Sequence, residues 1–375
     1  MNRNTIPLGR ILGIPVGLDP SWFLAFILIT WMLASSYFPA EFKNWPVAQY
    51  WIVGGVTAVL FFASVLLHEL GHSLVAHRYK IPVKSIALFI FGGVAQIEDE
   101  PPSAVSEFWV AISGPLVSFA LAGMYFLLEI PFSDFVPALA AVRYLAFING
   151  SLALFNLIPG FPLDGGRIFR AFLWSVTKSL RRATLVAVGV GRLIAFGFIL
   201  FGVWQVLIGN LGNGLWIAFI GWFLENAAVG QAQQQALQDL LAGQVVYQAM
   251  RHDCPTIPEG LTLQELVDQH ILGRGRRCFV VTGENNQIKG LATLHHIQQV
   301  PKSDWATTTA SSIMMPTEKI RSVSPTTGLR VALKEMDRDG VNQLPVIEDG
   351  VLVGMLTRED VISFVRTRRE LGSVI

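Results

Sequence analysis

Residues 59–75 read Val59-Leu60-Phe61-Phe62-Ala63-Ser64-Val65-Leu66-Leu67-His68-Glu69-Leu70-Gly71-His72-Ser73-Leu74-Val75. Three ionisable side chains, His68, Glu69 and His72, sit inside an otherwise apolar run. On a helix, positions i and i+4 share a face about 40° apart, so both imidazoles point the same way. Two neutral imidazoles so placed can share one Zn²⁺. Glu69 points about 100° away, where it can reach a water acidified by the metal without being a ligand. Each ionisable group in such a run carries a desolvation cost of about 3 kcal/mol. Three of them close together are readily kept only if they serve one another; the alternative is a buried polar cluster without metal.

Outward from this run the chain reads as a membrane domain followed by a soluble one. Of 375 residues, 52% are apolar and 15% charged; with the 34 glycines the apolar class reaches about 61%. Soluble domains hold roughly 45–50% apolar and 25% charged residues. This excludes a disordered chain and argues against a wholly soluble globule. The net charge of +1 provides no general field for nucleic acid. Residues 1–230 hold 13 Lys and Arg and 11 Asp and Glu, while the remaining 145 hold 15 and 16. Two cysteines, Cys254 and Cys278, both fall in the second part and read as reduced thiols.

Spanning helices need about 20 mostly apolar residues. Six stretches qualify, the last of them short: 22–38, 50–75, 108–130, 135–157, 183–208 and 215–229. The first follows some twenty turn-rich residues and is not trailed by a small-residue cleavage site, so it reads as a retained span. Arg3, Arg10, Arg78, Lys80, Lys84, Arg167, Arg170, Lys178, Arg181 and Arg182 fall on one side of this arrangement, and only Lys43 on the other. The positive-inside rule then places both termini in the cytosol. Residues 11–18 and 83–97 are β-branched and punctuated by glycine, and a hairpin is expected around Gly92-Gly93. Non-helical backbone at membrane depth must be buried in protein or line a wet cavity.

Zinc with two histidines needs a third protein ligand and one open position. Asp164 is the candidate, in Asn156-Leu157-Ile158-Pro159-Gly160-Phe161-Pro162-Leu163-Asp164-Gly165-Gly166-Arg167. The prolines and glycines stop a span there and could aim the carboxylate back into the bundle. Equally, Asp164 could be a turn residue or the N-cap of the helix expected over 168–175. From His68 to Arg78 is roughly 15 Å of helix, so the metal would lie below the cytosolic surface, on the side where Asp164 emerges. Asp19, His77, Arg143 and Arg192 read as a turn or cap, an interfacial side chain, and two snorkelling or paired cations, with Arg192 alternatively guarding a cavity.

HELGH at 68–72, Ser113-Gly114-Pro115 at the start of the next span, and NLIPGFPLDGG at 156–166 together resemble the site-2 protease family of intramembrane zinc metalloproteases. The resemblance covers about residues 8–230. It implies zinc on His68, His72 and Asp164, Glu69 as general base, and a membrane-spanning protein substrate. The family's asparagine before the aspartate matches Asn156, which would hold substrate or the oxyanion; the alternative there is a helix C-cap. A strand from 83–97 could pair with an unwound substrate by β-augmentation.

Beyond a Gln/Ala-rich linker helix at 231–244 the chain repeats. Met250 recurs as Met314, and Gly290-Leu291-Ala292-Thr293 as Gly354-Met355-Leu356-Thr357, both offset by 64. Each copy reads as helix (263–269 and 328–337), buried strand, turn, strand and helix. The copies, 245–303 and 308–370, resemble a tandem pair of cystathionine-β-synthase (CBS) domains. That resemblance implies a cleft for an adenine nucleotide such as ATP or AMP, with Thr357 and Asp360 at the ribose and phosphate, or a surface for homodimerisation. The same two letters also spell a helix cap with its first-turn acid. The first copy has Thr293-Leu294-His295-His296 and lacks the acid. Adjacent His295 and His296 diverge on a helix and do not read as a metal site.

The expected fold is thus a polytopic α-helical membrane protein with short membrane-associated β segments, plus a cytosolic α/β CBS pair. The expected location is a bacterial-type plasma membrane. The expected function is an intramembrane zinc endopeptidase. The alternative is a CBS-gated transporter or channel that uses the His/Asp cluster as a metal site, though a non-ligand carboxylate at Glu69 has no evident use there.

Overall fold

The computed structural model describes residues 5–90, 92–97, 101–252, 255–273, 278–283, 287–316, 322–349 and 351–372. They form two compact units, Met1–Gln235 and Ala236–Ile375.

The first unit is a helical bundle with one small sheet. Helix α1 (Ser21–Met32), a π-helical turn Leu33–Tyr37 and α2 (Phe38–Glu41) run on as one apolar rod. Then follow α3 (Val47–Arg78), α4 (Ala104–Leu128), α5 (Val136–Asn156), α6 (Asp164–Thr177), α7 (Leu180–Leu207) and α8 (Leu211–Leu241). Among the described residues, five helices are long and apolar enough to cross a membrane: Ser21–Glu41, α3, α4, α5 and α7. The sixth expected span, 215–229, lies in α8, which is not among them; Asn213, Glu225 and Asn226 dilute its hydropathy. Nor is the linker a separate helix, since the Gln/Ala-rich residues simply prolong α8.

These helices are apolar outside and partly polar within. Along α7, Leu193, Leu200 and Leu207 form an outward stripe at one-heptad intervals, each at least 70% exposed. On α3 the inward face carries Thr57, Ser64, His68, His72 and Ser73, all buried. Water cannot satisfy polar groups at membrane depth, so they turn to protein partners, while Leu and Val face outward at little cost. Apolar side chains gain little by leaving lipid for protein, and close backbone approach at small residues does more of the packing. A Cβ on Gly71 of α3 would stand 2.9 Å from Val117 Cγ2 of α4. Gly202 of α7 packs on Ala218 of α8, and Gly221 of α8 packs on Ala195 and Ile199 of α7, so the two helices run antiparallel.

Strands β1 (Ile6–Ile11), β2 (Ile14–Leu18), β3 (Val83–Phe89) and β4 (Gly92–Ile97) form one sheet in that order. The hairpin expected over 83–97 is present as β3–β4. In addition, β2 pairs in parallel with β3, with Val16 opposite Ile86. The outer edge of the hairpin is β4; Ile86–Leu88 is interior, paired on both sides. Ile14, Val16 and Ile86 pack with Leu70 of α3, and Leu18 and Leu88 with Val65. The sheet is thereby laid against the helix turns that carry the histidines. Asp19 closes β2: its N–H donates to Leu88 O at 2.8 Å, and Ser21 donates to its carboxylate from both Oγ and N. Those two hydrogen bonds hold the Asp19 carboxyl below its ordinary value.

The second unit holds the repeats. In the first are β5 (Thr256–Pro258), α9 (Leu263–Glu265, running into a π-helical segment Leu266–Leu272), β6 (Cys278–Thr282), β7 (Ile288–Thr293) and α10 (Leu294–Gln298). Next come α11 (Ala310–Ile313) and β8 (Met315–Pro316), then α12 (Leu329–Asp339), β9 (Gln343–Glu348), β10 (Val351–Thr357) and α13 (Arg358–Gly372). The leading segment of each repeat crosses to the other: strand β8 pairs with β7, and Arg251 makes an isolated bridge to Met355 of β10. Leu241, Val246 and Met250 enter the core of the second repeat beside Leu329, Met336 and Leu344. Each repeat therefore completes the other, and neither is closed alone. Cys254 lies outside the described residues, as does the side chain of Cys278.

Candidate metal centre

Helix α3 places His68 and His72 one turn apart on its buried face, 4% and 5% exposed. The chain between α5 and α6 brings Asp164 to them. Leu163 caps α6 with extended backbone, and Asp164 is its first residue. Asp164 is therefore not the N-cap, and the helix begins four residues before the expected 168. Gly165 and Gly166 pack bare against the backbone of Leu157, Ile158, Gly160 and Phe161. Their lack of side chains lets the loop fold under the start of the helix, turning Asp164 inward.

Three ligand atoms converge. His68 Nε2 lies 3.2 Å from Asp164 Oδ2 and 3.2 Å from His72 Nε2, and His72 Nε2 lies 3.3 Å from Asp164 Oδ2. His72 Nδ1 donates to Val110 O at 2.6 Å, because a carbonyl can only accept. In the neutral ring this leaves the lone pair on Nε2, facing the other two atoms. His68 Nδ1 lies 2.9 Å from Ser118 Oγ, which orients the second ring similarly. With His68 Nδ1 likewise donating to Ser118 Oγ, the facing atoms would be three acceptors, which repel unless a cation or proton sits among them. Donors about 2.0–2.1 Å from a tetrahedral Zn²⁺ stand about 3.3–3.4 Å apart. The donor set fits zinc in number, type and spacing.

Helix α4 supplies no ligand yet holds both rings, through Val110 O and Ser118 Oγ. Gly114 between them lies under the imidazoles. The Ser113-Gly114-Pro115 motif marks Gly114 without giving it a role, and Val110 and Ser118 carry no signal beyond small or apolar residues in an apolar span.

Glu69 is half-buried and turned toward the sheet. Its Oε2 accepts from Ala95 N–H of β4 at 3.1 Å, and Gly93 lies bare against its side chain. Asn156 is the last residue of α5 and half-buried; the C-cap is Leu157, and the Asn156 amide makes no hydrogen bond among the described residues. Arg143 pairs with Glu129 and Arg192 with Glu225 of α8, while His77 is exposed in the last turn of α3. Arg170, counted above as a basic loop residue, is instead buried in an ion pair with Glu107.

Thr357 and Asp360 meet at the start of α13. Asp360 Oδ2 accepts from Thr357 Oγ1 at 2.6 Å and from Thr357 N at 3.1 Å, and Asp360 N donates back to Thr357 Oγ1. Its Oδ1 accepts from Arg251 Nε. In the first repeat Thr293 Oγ1 accepts from His296 N. The side chain of His295 lies outside the described residues.

Two buried histidines and an aspartate that could hold a metal ion, set in a bundle of membrane-length apolar helices with a carboxylate next in sequence, are the parts a membrane metallohydrolase needs. Comparison with known proteins narrows this. The model for peptidase family M50 matches residues 56–135 and 132–200, and the CBS domain model matches 243–302 and 310–367. A candidate zinc metalloprotease of Synechocystis sp. is 36% identical over 97% of this chain and 96% of its own. Rip3 of Mycobacterium tuberculosis, also a candidate zinc metalloprotease, is 34% identical over 98% and 94%. The solved site-2 protease of Methanocaldococcus jannaschii is 29% identical, covering 60% of this chain and 94% of that one, with a TM-score of 0.42. The chain belongs to peptidase family M50, the site-2 proteases, and carries a tandem CBS pair. It is a multi-pass membrane zinc metalloprotease, and the transporter reading gives way.

Proposed function

We propose that His68, His72 and Asp164 hold one zinc ion and that Glu69 is the general base for hydrolysis of a peptide bond in or near a substrate's transmembrane segment. The observation that carries this is the buried triangle of ligand atoms, 3.2–3.3 Å on each side. Zinc, when bound, supplies a Lewis acid that polarises a carbonyl and acidifies water. Glu69 takes the proton from the attacking water as its oxygen adds to the carbonyl carbon. It passes that proton to the nitrogen as the C–N bond breaks. The Asn156 amide, which makes no hydrogen bond among the described residues, is the proposed donor to the substrate or its oxyanion. Edge strand β4 runs beside Glu69, and an unwound substrate segment pairing there would lie next to the base.

Both termini and the CBS pair are assigned to the cytosol. This rests on the one-sided basic residues, with Arg170 now set aside, and it requires α8, which packs antiparallel against α7, to serve as a sixth crossing although its hydropathy falls short of the other five. The CBS pair is proposed to bind an adenine nucleotide at Thr357 and Asp360, to regulate cleavage, and to form a homodimer. Since Asp360 already accepts from Thr357 and Arg251, a ribose hydroxyl would have to share its Oδ1 with Arg251 or displace one of these partners.

The test is cleavage of a tagged single-span substrate by purified protein in detergent, for wild type and Glu69→Gln, with zinc measured in both. Cleavage by wild type alone, with zinc in both proteins, supports the assignment. Absence of zinc from wild type defeats it.

A further inference from the structure

Three helices meet at the ligand triangle. α3 brings both histidines, α6 brings Asp164, and α4 fixes the rings through Val110 O and Ser118 Oγ. A triangle of 3.2–3.3 Å sides requires α4 and α6 to keep their register within a few tenths of an ångström. Apolar side chains against apolar side chains set register weakly in a membrane, where lipid is an equal partner.

A buried ion pair joins the two helices. The side chains of Glu107 on α4 and Arg170 on α6 are 1% and 3% exposed. Arg170 Nε donates to Glu107 Oε1 at 2.6 Å, and its Nη2 reaches the same oxygen. Glu107 stands one turn before Val110, and Arg170 six residues after Asp164. The Arg170 guanidinium also lies 5.1 Å from the ring centroid of Phe161, which is buried three residues before Asp164. Arg170 thus ties α6 both to the helix that orients the imidazoles and to the loop that delivers the aspartate. Burying two charges is costly, and apolar residues would fill the space more cheaply. What the pair adds is a single geometry, fixed by a planar guanidinium that must meet its carboxylate.

We infer that Glu107 and Arg170 are positioning residues: their ion pair sets the separation of Asp164 from His68 and His72, and through it zinc affinity and turnover. This rests on the assignment of those three side chains to zinc.

The test uses full-length protein in detergent: wild type, the double variant Glu107→Leu/Arg170→Met, and Arg170→Lys. Zinc affinity is read by chelator competition, folding by the thermal midpoint of the metal-free protein, and turnover as kcat and KM separately. Replacing both members of a buried pair by apolar residues commonly leaves stability equal or higher. The double variant is expected to keep its midpoint, to bind zinc about 10–100-fold more weakly, and to lose kcat while KM holds. Arg170→Lys keeps the charge without the planar contact and is expected to fall between the two. A double variant with wild-type zinc affinity and kcat overturns the inference. So does one that fails to fold, since the pair would then serve the fold rather than the site. Wild type that binds no zinc removes the ligand assignment itself, an outcome distinct from either.

Discussion

Gly114 lies directly beneath His72: a Cβ at that position would stand 2.2 Å from His72 Nε2 and 2.6 Å from His68 Nε2. Neither ring can retreat, because each is held from behind by α4 itself, at Val110 and Ser118. In Gly114→Ala the helix gains about 1 kcal/mol of propensity and loses the space for the imidazoles. The expected outcome is membrane-integrated protein with less than about a tenth of the wild-type zinc and no cleavage, on the scale of losing oriented ligands. Elemental analysis of purified protein checks it; full zinc occupancy would refute the crowding argument.

Glu69→Gln keeps the shape and removes the base. Cleavage should fall by about 10²–10⁴-fold with zinc content unchanged. A single-turnover assay beside a zinc measurement separates this from ligand loss.

Gly93→Ala tests the wall behind that base, since the added Cβ would lie 2.4 Å from Glu69 Cγ. Displacing Glu69 should lower kcat by about 10–100-fold, by analogy with other supporting contacts, and leave zinc bound. A normal kcat would show that the strand yields instead.

Asp164→Asn removes the anionic corner of the triangle without changing its size. Wild type stripped by a chelator should regain cleavage when zinc is restored, whereas Asp164→Asn should not. Equal recovery in both would reassign the third ligand.

In the second CBS repeat, Asp360→Asn weakens the reciprocal cap with Thr357 and leaves Arg251 without its carboxylate. The expected cost is about 1 kcal/mol, read as a drop of a few degrees in the thermal midpoint of the full chain. If Asp360 also holds ribose, ATP should raise the wild-type midpoint and leave that of the variant unmoved. An equal ATP shift in both would separate the cap from nucleotide binding.

The membrane helices were legible because length and hydropathy are properties of a continuous stretch: α3, α4, α5 and α7 lie within a few residues of the expected spans. The exception is instructive. Residues 215–229 and the linker after them belong to one helix, because Gln and Ala continue helical backbone where hydropathy ends. The hairpin at 83–97 was marked by its glycines, but its parallel partner β2 lies some 65 residues earlier, and nothing in either strand names the other. The repeat was visible from its 64-residue offset; that each copy's leading segment crosses to the other was not.

At the site, the sequence alone determined the two histidines and the carboxylate between them, because helical spacing converts four residues into one face. It also nominated Asp164, through a turn that could aim it inward, and left a helix cap equally open. Only the tertiary structure decided against the cap, making Asp164 the first helical residue and bringing its Oδ2 within 3.3 Å of both imidazoles. It alone disclosed Val110, Gly114 and Ser118 behind the rings, and the Glu107–Arg170 pair that joins α4 to α6. A backbone carbonyl, a missing Cβ and an ion pair 63 residues apart in the chain leave no periodic signal. They arise from the register between helices, which depends on how separate surfaces fit and not on the order of residues along any one of them.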